Sequence, residues 1–219
     1  MFNLVLKDLL VLKKNFLFGI VYILIMIVAF QQIGGSMLAA SIVVFSYMMV
    51  QLACAYDEKN KADILLNSLP LNRSTIVIAR YISTFIFTAI SIVYYLLLSG
   101  LIKVLHLPLK VYPVSLEGIL GALFALILVC GIYLPIFFKM GYIKSKLLNF
   151  VLFFGVFFGG AILLQELITN KDQSTLQRVV QFLNEQSTMQ VAVEISAVMI
   201  LLLFISFMFS LRNYKKREF

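Results

Sequence analysis

Residues 81–102 and 118–138 each run for more than twenty positions without a charged side chain, and this constrains the fold more than any other feature. A helix rises about 1.5 Å per residue, so about 20 apolar residues cross roughly 30 Å of hydrocarbon. Four further stretches qualify: about 16–33, 37–56, 147–166 and 191–211, the third closing on Glu166 and the last carrying Glu194 near its start. Gly34-Gly35-Ser36 reads as the turn between the first two. Composition agrees, since 62% of the 219 residues are hydrophobic and 13% are charged, against about half and about a quarter in a soluble domain. Strands fit poorly, because a membrane barrel needs short alternating segments and these runs of Leu, Ile and Phe are continuous. The expected fold is all-α and integral to the membrane, with six transmembrane helices in one domain over 16–219.

A net charge of +8 would by itself suit nucleic acid or anionic lipid. Its distribution decides. With a cytoplasmic N-terminus, fourteen of the 18 basic residues fall inside: Lys7, Lys13 and Lys14; Lys59, Lys61, Arg73 and Arg80; Lys139, Lys144 and Lys146; Arg212, Lys215, Lys216 and Arg217. Lys103, Lys110, Lys171 and Arg178 remain outside, while the acids divide evenly. This is the positive-inside pattern, so both termini are expected in the cytoplasm and nucleic acid is not expected as a partner. Residues 1–15 set Phe2, Leu4, Val5, Leu9 and Leu12 against Lys7, Asp8, Lys13 and Lys14, the make-up of an interfacial amphipathic helix. A cleaved signal peptide is the competing reading, but no small-x-small site follows the apolar run ending in Phe30-Gln31-Gln32. Cys54 and Cys130 lie inside apolar stretches and are expected to pack as small hydrophobes.

The longest cytoplasmic interruption, 57–80, opens with mixed charge at Asp57, Glu58, Lys59, Lys61 and Asp63. Residues 62–69 then read as a short helix with Ile64, Leu65 and Leu69 on one side, stopped by Pro70. Ser74 or Thr75 can cap the next helix. Such a helix across the mouth of a bundle could hand a soluble partner's motion to the spans. A solvated charged loop with an interfacial turn explains the same residues, and the residues alone leave both readings open.

The run Leu69-Pro70-Leu71-Asn72-Arg73, followed by Ile76-Val77-Ile78-Ala79-Arg80-Tyr81, resembles the first cytoplasmic loop of the small ABC-2 type permeases. The N-terminal helix, six spans and cytoplasmic termini match them as well. Within that family the chain is similar to permeases of bacterial exporters for antimicrobial or cytolytic peptides, of the phenol-soluble modulin exporter type. The resemblance implies a bacterial cytoplasmic membrane, a pair of permease chains, homodimeric or of two homologues, and two separate ATPase subunits. It implies that the loop helix docks in a groove of the ATPase through Asp57, Glu58, Lys61, Leu65, Leu69 and Arg73. Consistent with an outside energy source, the chain has no G-x-x-x-x-G-K-[ST] phosphate loop, so ATP and Mg are expected on the partner and no cofactor on this chain. Lys139 to Lys146 form a smaller candidate contact that topology anchoring also explains.

In the fifth span, Gly155 and Gly159 make a small-x-x-x-small step for close helix packing. Around it, Phe154, Phe157 and Phe158 could wall a greasy cargo cavity at the dimer interface together with Phe45, Met48 and Met49, since Met and Phe surfaces suit varied apolar ligands. Lipid-facing Phe explains the same pattern. An ion-coupled carrier is the alternative from another class, yet Glu117, Glu166, Glu194 and Lys103 all fall near span ends rather than at mid-membrane, where an ionisable group would mark coupling. An intramembrane enzyme has less support: His106 is the only histidine and lies in an outer loop, so no histidine-based metal site is expected, and neither cysteine has a histidine base. Leu176, Val179, Val180 and Leu183 recur at helical spacing and predict an amphipathic outer helix over 175–183.

Overall fold

The computed structural model describes the backbone of residues 1–31, 34–169 and 188–217, with side chains except at 34–36, 147–149, 152–153, 156–169 and 188. Every element among the described residues is a helix: α1 (Phe2–Val11), α2 (Asn15–Ala29), α3 (Gly34–Lys59), α4 (Ala62–Ser68), α5 (Arg73–Val104), α6 (Leu116–Thr169) and α7 (Thr188–Lys216). Four stretches are long and apolar enough to cross a membrane, Met37–Lys59, Arg73–Val104, Leu116–Lys146 and Met189–Lys216. Helices α1 and α2, bent by 69° to one another, make a fifth if they count as one broken span. The chain is a multi-pass membrane protein.

These four or five spans stand against the six expected. The first expected span shrinks to the 15 residues of α2, about 22 Å of helix and too short to cross alone. The fifth, 147–166, continues as helix within α6, but most of its side chains lie outside the described residues, as does the segment 175–183. The loop expected at 139–146 is helical on both sides of Gly141, where φ is 77° and ψ 176° and two helices meet. Only glycine adopts that conformation readily. The loop expected over 57–80 contracts to 60–72, because α3 runs to Lys59 and α5 begins at Arg73, with Asn72 rather than Ser74 or Thr75 as its N-cap. Gly34-Gly35-Ser36, expected as a turn, forms the first residues of α3. At the start of α6, Ser115 Oγ accepts the Gly118 N–H at 3.0 Å and closes that end as an N-cap does.

Helix α3 is the axis of the bundle: 61% of its most apolar window is buried, against 11% for α7 on the periphery. It packs on α2, α5 and α6, while α7 rests on α6 and α5. A run of aromatic contacts crosses the bundle, from Tyr47 on α3 to Tyr133 at 5.7 Å, on to Phe137 at 6.2 Å and Phe138 at 5.3 Å, and then to Tyr214 of α7 at 5.2 Å. Polar residues inside the spans bond locally. Ser41, Ser83, Thr84 and Thr88 each donate to the carbonyl four residues back, at 2.8–3.0 Å, so no hydroxyl among these four meets hydrocarbon unpaired.

Pro135 shows the same constraint acting between helices. Proline has no N–H, so the carbonyl four residues before it loses its helical partner. That carbonyl belongs to Gly131, and Ser206 of α7 donates to it at 2.7 Å. Ser206 Oγ in turn lies 2.6 Å from Tyr81 Oη of α5, and Asn213 Nδ2 donates to the Pro135 carbonyl at 3.0 Å. The proline thus creates the polar socket on which α7 seats. Ser206→Ala should cost about 1–2 kcal/mol by stranding the Gly131 carbonyl. Adding Pro135→Ala, which restores the missing N–H, should recover part of that loss, read as thermal midpoints of the purified protein in detergent.

Candidate functional site

One end of the bundle gathers α1, the close of α3, all of α4, the start of α5, the Gly141 break and the close of α7. Their meeting begins at Lys61, whose left-handed φ of 50° reverses the chain between α3 and α4. Asp63 then sits in the first turn of α4, where a negative charge complements the helix dipole. The seven-residue helix has two unlike faces. Leu66 points inward at 7% exposure, whereas Ile64, Leu65 and Leu69 are 59%, 65% and 46% exposed.

The inward face of α4 is tied to the last turn of α7. Asn67 Nδ2 donates to Tyr214 Oη at 3.0 Å, and Asp63 pairs with Arg217 at 3.3 Å. Burial pushes the Asp63 carboxyl above the usual carboxylate range, against the opposing pull of Arg217. From the start of α5, Arg73 Nη1 reaches the carbonyls of Tyr214, Lys215 and Arg217 at 3.2, 2.8 and 3.2 Å. The Tyr214 carbonyl also accepts the Arg217 N–H at 3.4 Å, and a cation at these last carbonyls meets the negative end of the helix dipole. Glu58 accepts the Tyr142 N–H at 3.2 Å. A Cβ on Gly141 would stand 2.9 Å from Glu58 Oε2 and 3.0 Å from Arg217 Nη2, the tips of two flexible side chains that can shift, so it is the φ of 77° that calls for glycine there.

Behind this end lies a buried ionic quartet. Arg80 of α5 donates to Asp8 of α1 at 3.0 Å and also pairs with Asp57 of α3. Lys7 completes it, 2.6 Å from Asp57 and 3.2 Å from Asp8, and Ser83 donates to Asp8 at 2.8 Å. Two cations face two carboxylates, so the group is neutral overall. Asp8, Asp57 and Arg80 are all buried. The cleft beside them holds about 20 Å³, room for a single water.

A family model described as ABC-2 family transporter protein matches residues 3–215. The chain belongs to the ABC-2 transporter family. No curated protein and no solved structure matches it. Membership makes it the membrane subunit of an ABC transporter and implies an ABC ATPase as its partner in general.

Within this ABC-2 permease the six residues expected at an ATPase dock occupy three different settings. Leu65, Leu69 and Lys61 are exposed on and beside α4, while Glu58 and Arg73 are half-buried and bonded to α6 and α7. Asp57 is buried in the quartet. The residues expected to wall a cavity are dispersed too. Phe45 and Met49 lie wholly buried in the core and Met48 partly so, with Phe45 packed on Gly19 of α2 and edge-on to Tyr94 at 5.8 Å. Phe154 is exposed, its ring tilted by 53° against Phe150 of its own helix at 4.5 Å. A Cβ on Gly155 would meet nothing within 4 Å, whereas the side chains at Phe157 and Phe158 and the surroundings of Gly159 lie outside the described residues.

Sequence reasoning set Lys7 and Asp8 on the polar side of an interfacial helix and Arg80 among the inner basic residues and in the loop motif, with no pairing between them. A signal was present at Asp8, which shares a helix face with Val5 and Leu12 at spacings of three and four; an acid in the apolar phase of an amphipathic helix demands a buried partner. Arg80→Ala would leave two buried carboxylates facing one lysine and should cost about 3–5 kcal/mol. The quadruple variant Lys7→Gln/Asp8→Asn/Asp57→Asn/Arg80→Met, which leaves no charge in the quartet, should be markedly more stable than Arg80→Ala alone. Chemical denaturation of the permease in mixed micelles, followed by far-UV circular dichroism, checks both.

Proposed function

We propose that this permease is the membrane subunit of an ATP-driven exporter for amphipathic peptides or other hydrophobic cargo, of the phenol-soluble modulin exporter type, in a bacterial cytoplasmic membrane. The observation that carries the reading is the two-sidedness of α4. Its outer face offers Ile64, Leu65 and Leu69 at an end of the bundle otherwise lined with exposed lysines, while its inner face is bonded to α7. An apolar knob in a charged setting suits a protein groove rather than water. The ATPase subunit docks there, binds ATP and Mg itself, and is present twice against two permease chains. Closure of the ATPase pair on ATP pushes α4, and the bonds through Asn67, Asp63 and Arg73 carry that push to the end of α7.

The α4 end faces the cytoplasm in this reading, with both termini beside it. Cargo then passes where two permease chains meet. Exposed Phe150, Val151 and Phe154 on α6, with Gly155 beside them, offer aromatic surface and an open glycine to a second chain, whereas Phe45 and Met49 lie buried in the core. No step of transport requires Asp8, Asp57 or Arg80 to change protonation, which separates this mechanism from an ion-coupled carrier.

Co-expression with the cognate ABC ATPase, sought first in the genes adjoining this one, followed by affinity purification, tests the dock. Leu65→Asp and Ile64→Asp should each reduce the recovered ATPase at least about tenfold, the effect of 1.4 kcal/mol, without lowering the permease's own thermal midpoint. Recovery unchanged in both variants would remove α4 as the dock. Transport by vesicles containing the permease and no ATPase would favour the carrier.

A further inference from the structure

The tertiary structure sorts the charges at the α4 end by sign. Asp8 and Asp57 are buried, Glu58 and Asp63 are half-buried and bonded, and their partners Lys7, Arg80 and Arg217 turn inward with them. Ten basic side chains at this end are exposed, and among the described residues no acidic one is. Four separate pieces of chain supply them: the α1–α2 elbow, the α3–α4 turn, the α6 break and the close of α7.

We propose that the cations at the elbow, on α6 and on α7 form a collar that binds the head groups of anionic phospholipids in the adjoining leaflet. The apolar surface beside them decides for lipid over an acidic protein. On α7, Ile205, Phe209, Arg212 and Lys216 follow at spacings of four, three and four and are all exposed, so one stripe runs from hydrocarbon-loving to phosphate-loving side chains. At the elbow, Lys13 and Lys14 stand between exposed Leu10 and Val11 on one side and exposed Leu17 and Phe18 on the other. Helix α1 itself is inverted, with Asp8 turned into the protein and Phe2, Leu6 and Leu10 turned out. On α6, Lys146 lies between exposed Ile143 and Phe150 at spacings of three and four. A cation held beside exposed apolar residues on the same helix sits at the boundary between acyl chains and head groups, where phosphate is the available anion and local attraction is substantial.

The full-length protein, reconstituted in nanodiscs of phosphatidylcholine and phosphatidylglycerol in equal parts and then stripped of bulk lipid, reports this directly by native mass spectrometry. Phosphatidylglycerol should be retained several-fold over phosphatidylcholine, with the preference abolished at high salt. It should weaken by about fivefold per cation in Lys13→Gln/Lys14→Gln and in Arg212→Gln/Lys216→Gln. Because fewer basic residues can also disturb insertion, Lys13→Arg/Lys14→Arg provides the folded control and should keep the wild-type preference. Equal retention of the two lipids would overturn the proposal, as would displacement of the retained lipid by inorganic phosphate at moderate concentration. A preference untouched by the Gln variants, with weaker ATPase recovery instead, would assign the collar to the protein partner and overturn it as well. The lipid-retention readouts do not depend on the dock at α4.

Discussion

The pairing of Arg80 with Asp8 and Asp57 is the interaction from which the rest of this end follows. A guanidinium at the membrane edge of a bundle is tolerable only when carboxylates neutralise it and fill its donors. Supplying two of them requires α1 to lie across α3 and α5 with its acid turned inward, and that leaves Phe2, Leu6 and Leu10 outward while Leu4 and Leu9 pack against the core. The N-terminal helix is therefore fixed in place by charge and dressed for lipid by default. The elbow of 69° is the geometric price of joining a helix so placed to α2.

A second constraint acts deeper in the bundle. Hydrocarbon offers no hydrogen bonds, so each polar group in the spans must find a partner within the protein. Ser41, Ser83, Thr84 and Thr88 solve this locally by bonding back along their own helix. Pro135 cannot, and the carbonyl it strands becomes an attachment point for Ser206. A residue that weakens one helix thereby specifies where another docks. At the far end of α7 the same logic recurs: Arg73 meets its last carbonyls, joining the peripheral helix to the segment that carries α4.

Much of the architecture could be read from the residues. The charge-free runs at 81–102 and 118–138 lie within α5 and α6, and the short helix stopped by Pro70, with Ile64, Leu65 and Leu69 facing outward, is present as α4. The ABC-2 resemblance read from the loop motif agrees with the family match over 3–215. Other readings went astray for identifiable reasons. A single glycine at 141 reroutes a helix where three lysines suggested a loop, because helix propensity around it is unbroken. Residues 57–59 looked like loop because they are charged, yet Asp57 and Glu58 are used inside the bundle and α3 extends to deliver them; the helix expected from Ser74 or Thr75 is present as α5, which begins at Arg73.

Length and hydropathy are properties of a chain's own order, so helicity, membrane residence and the clustering of basic residues by segment follow from the residues without reference to neighbours. Pairing is different. Asp8 and Arg80 are 72 residues apart, and Arg73 reaches carbonyls 141 to 144 positions away. Whether such groups meet depends on the rotation and register of packed helices, which a 3.6-residue period leaves open by whole turns. Packing settled that Asp57 is interior and Leu65 exterior, that Arg73 holds α7, and that among the described residues the charges exposed at this end are all positive.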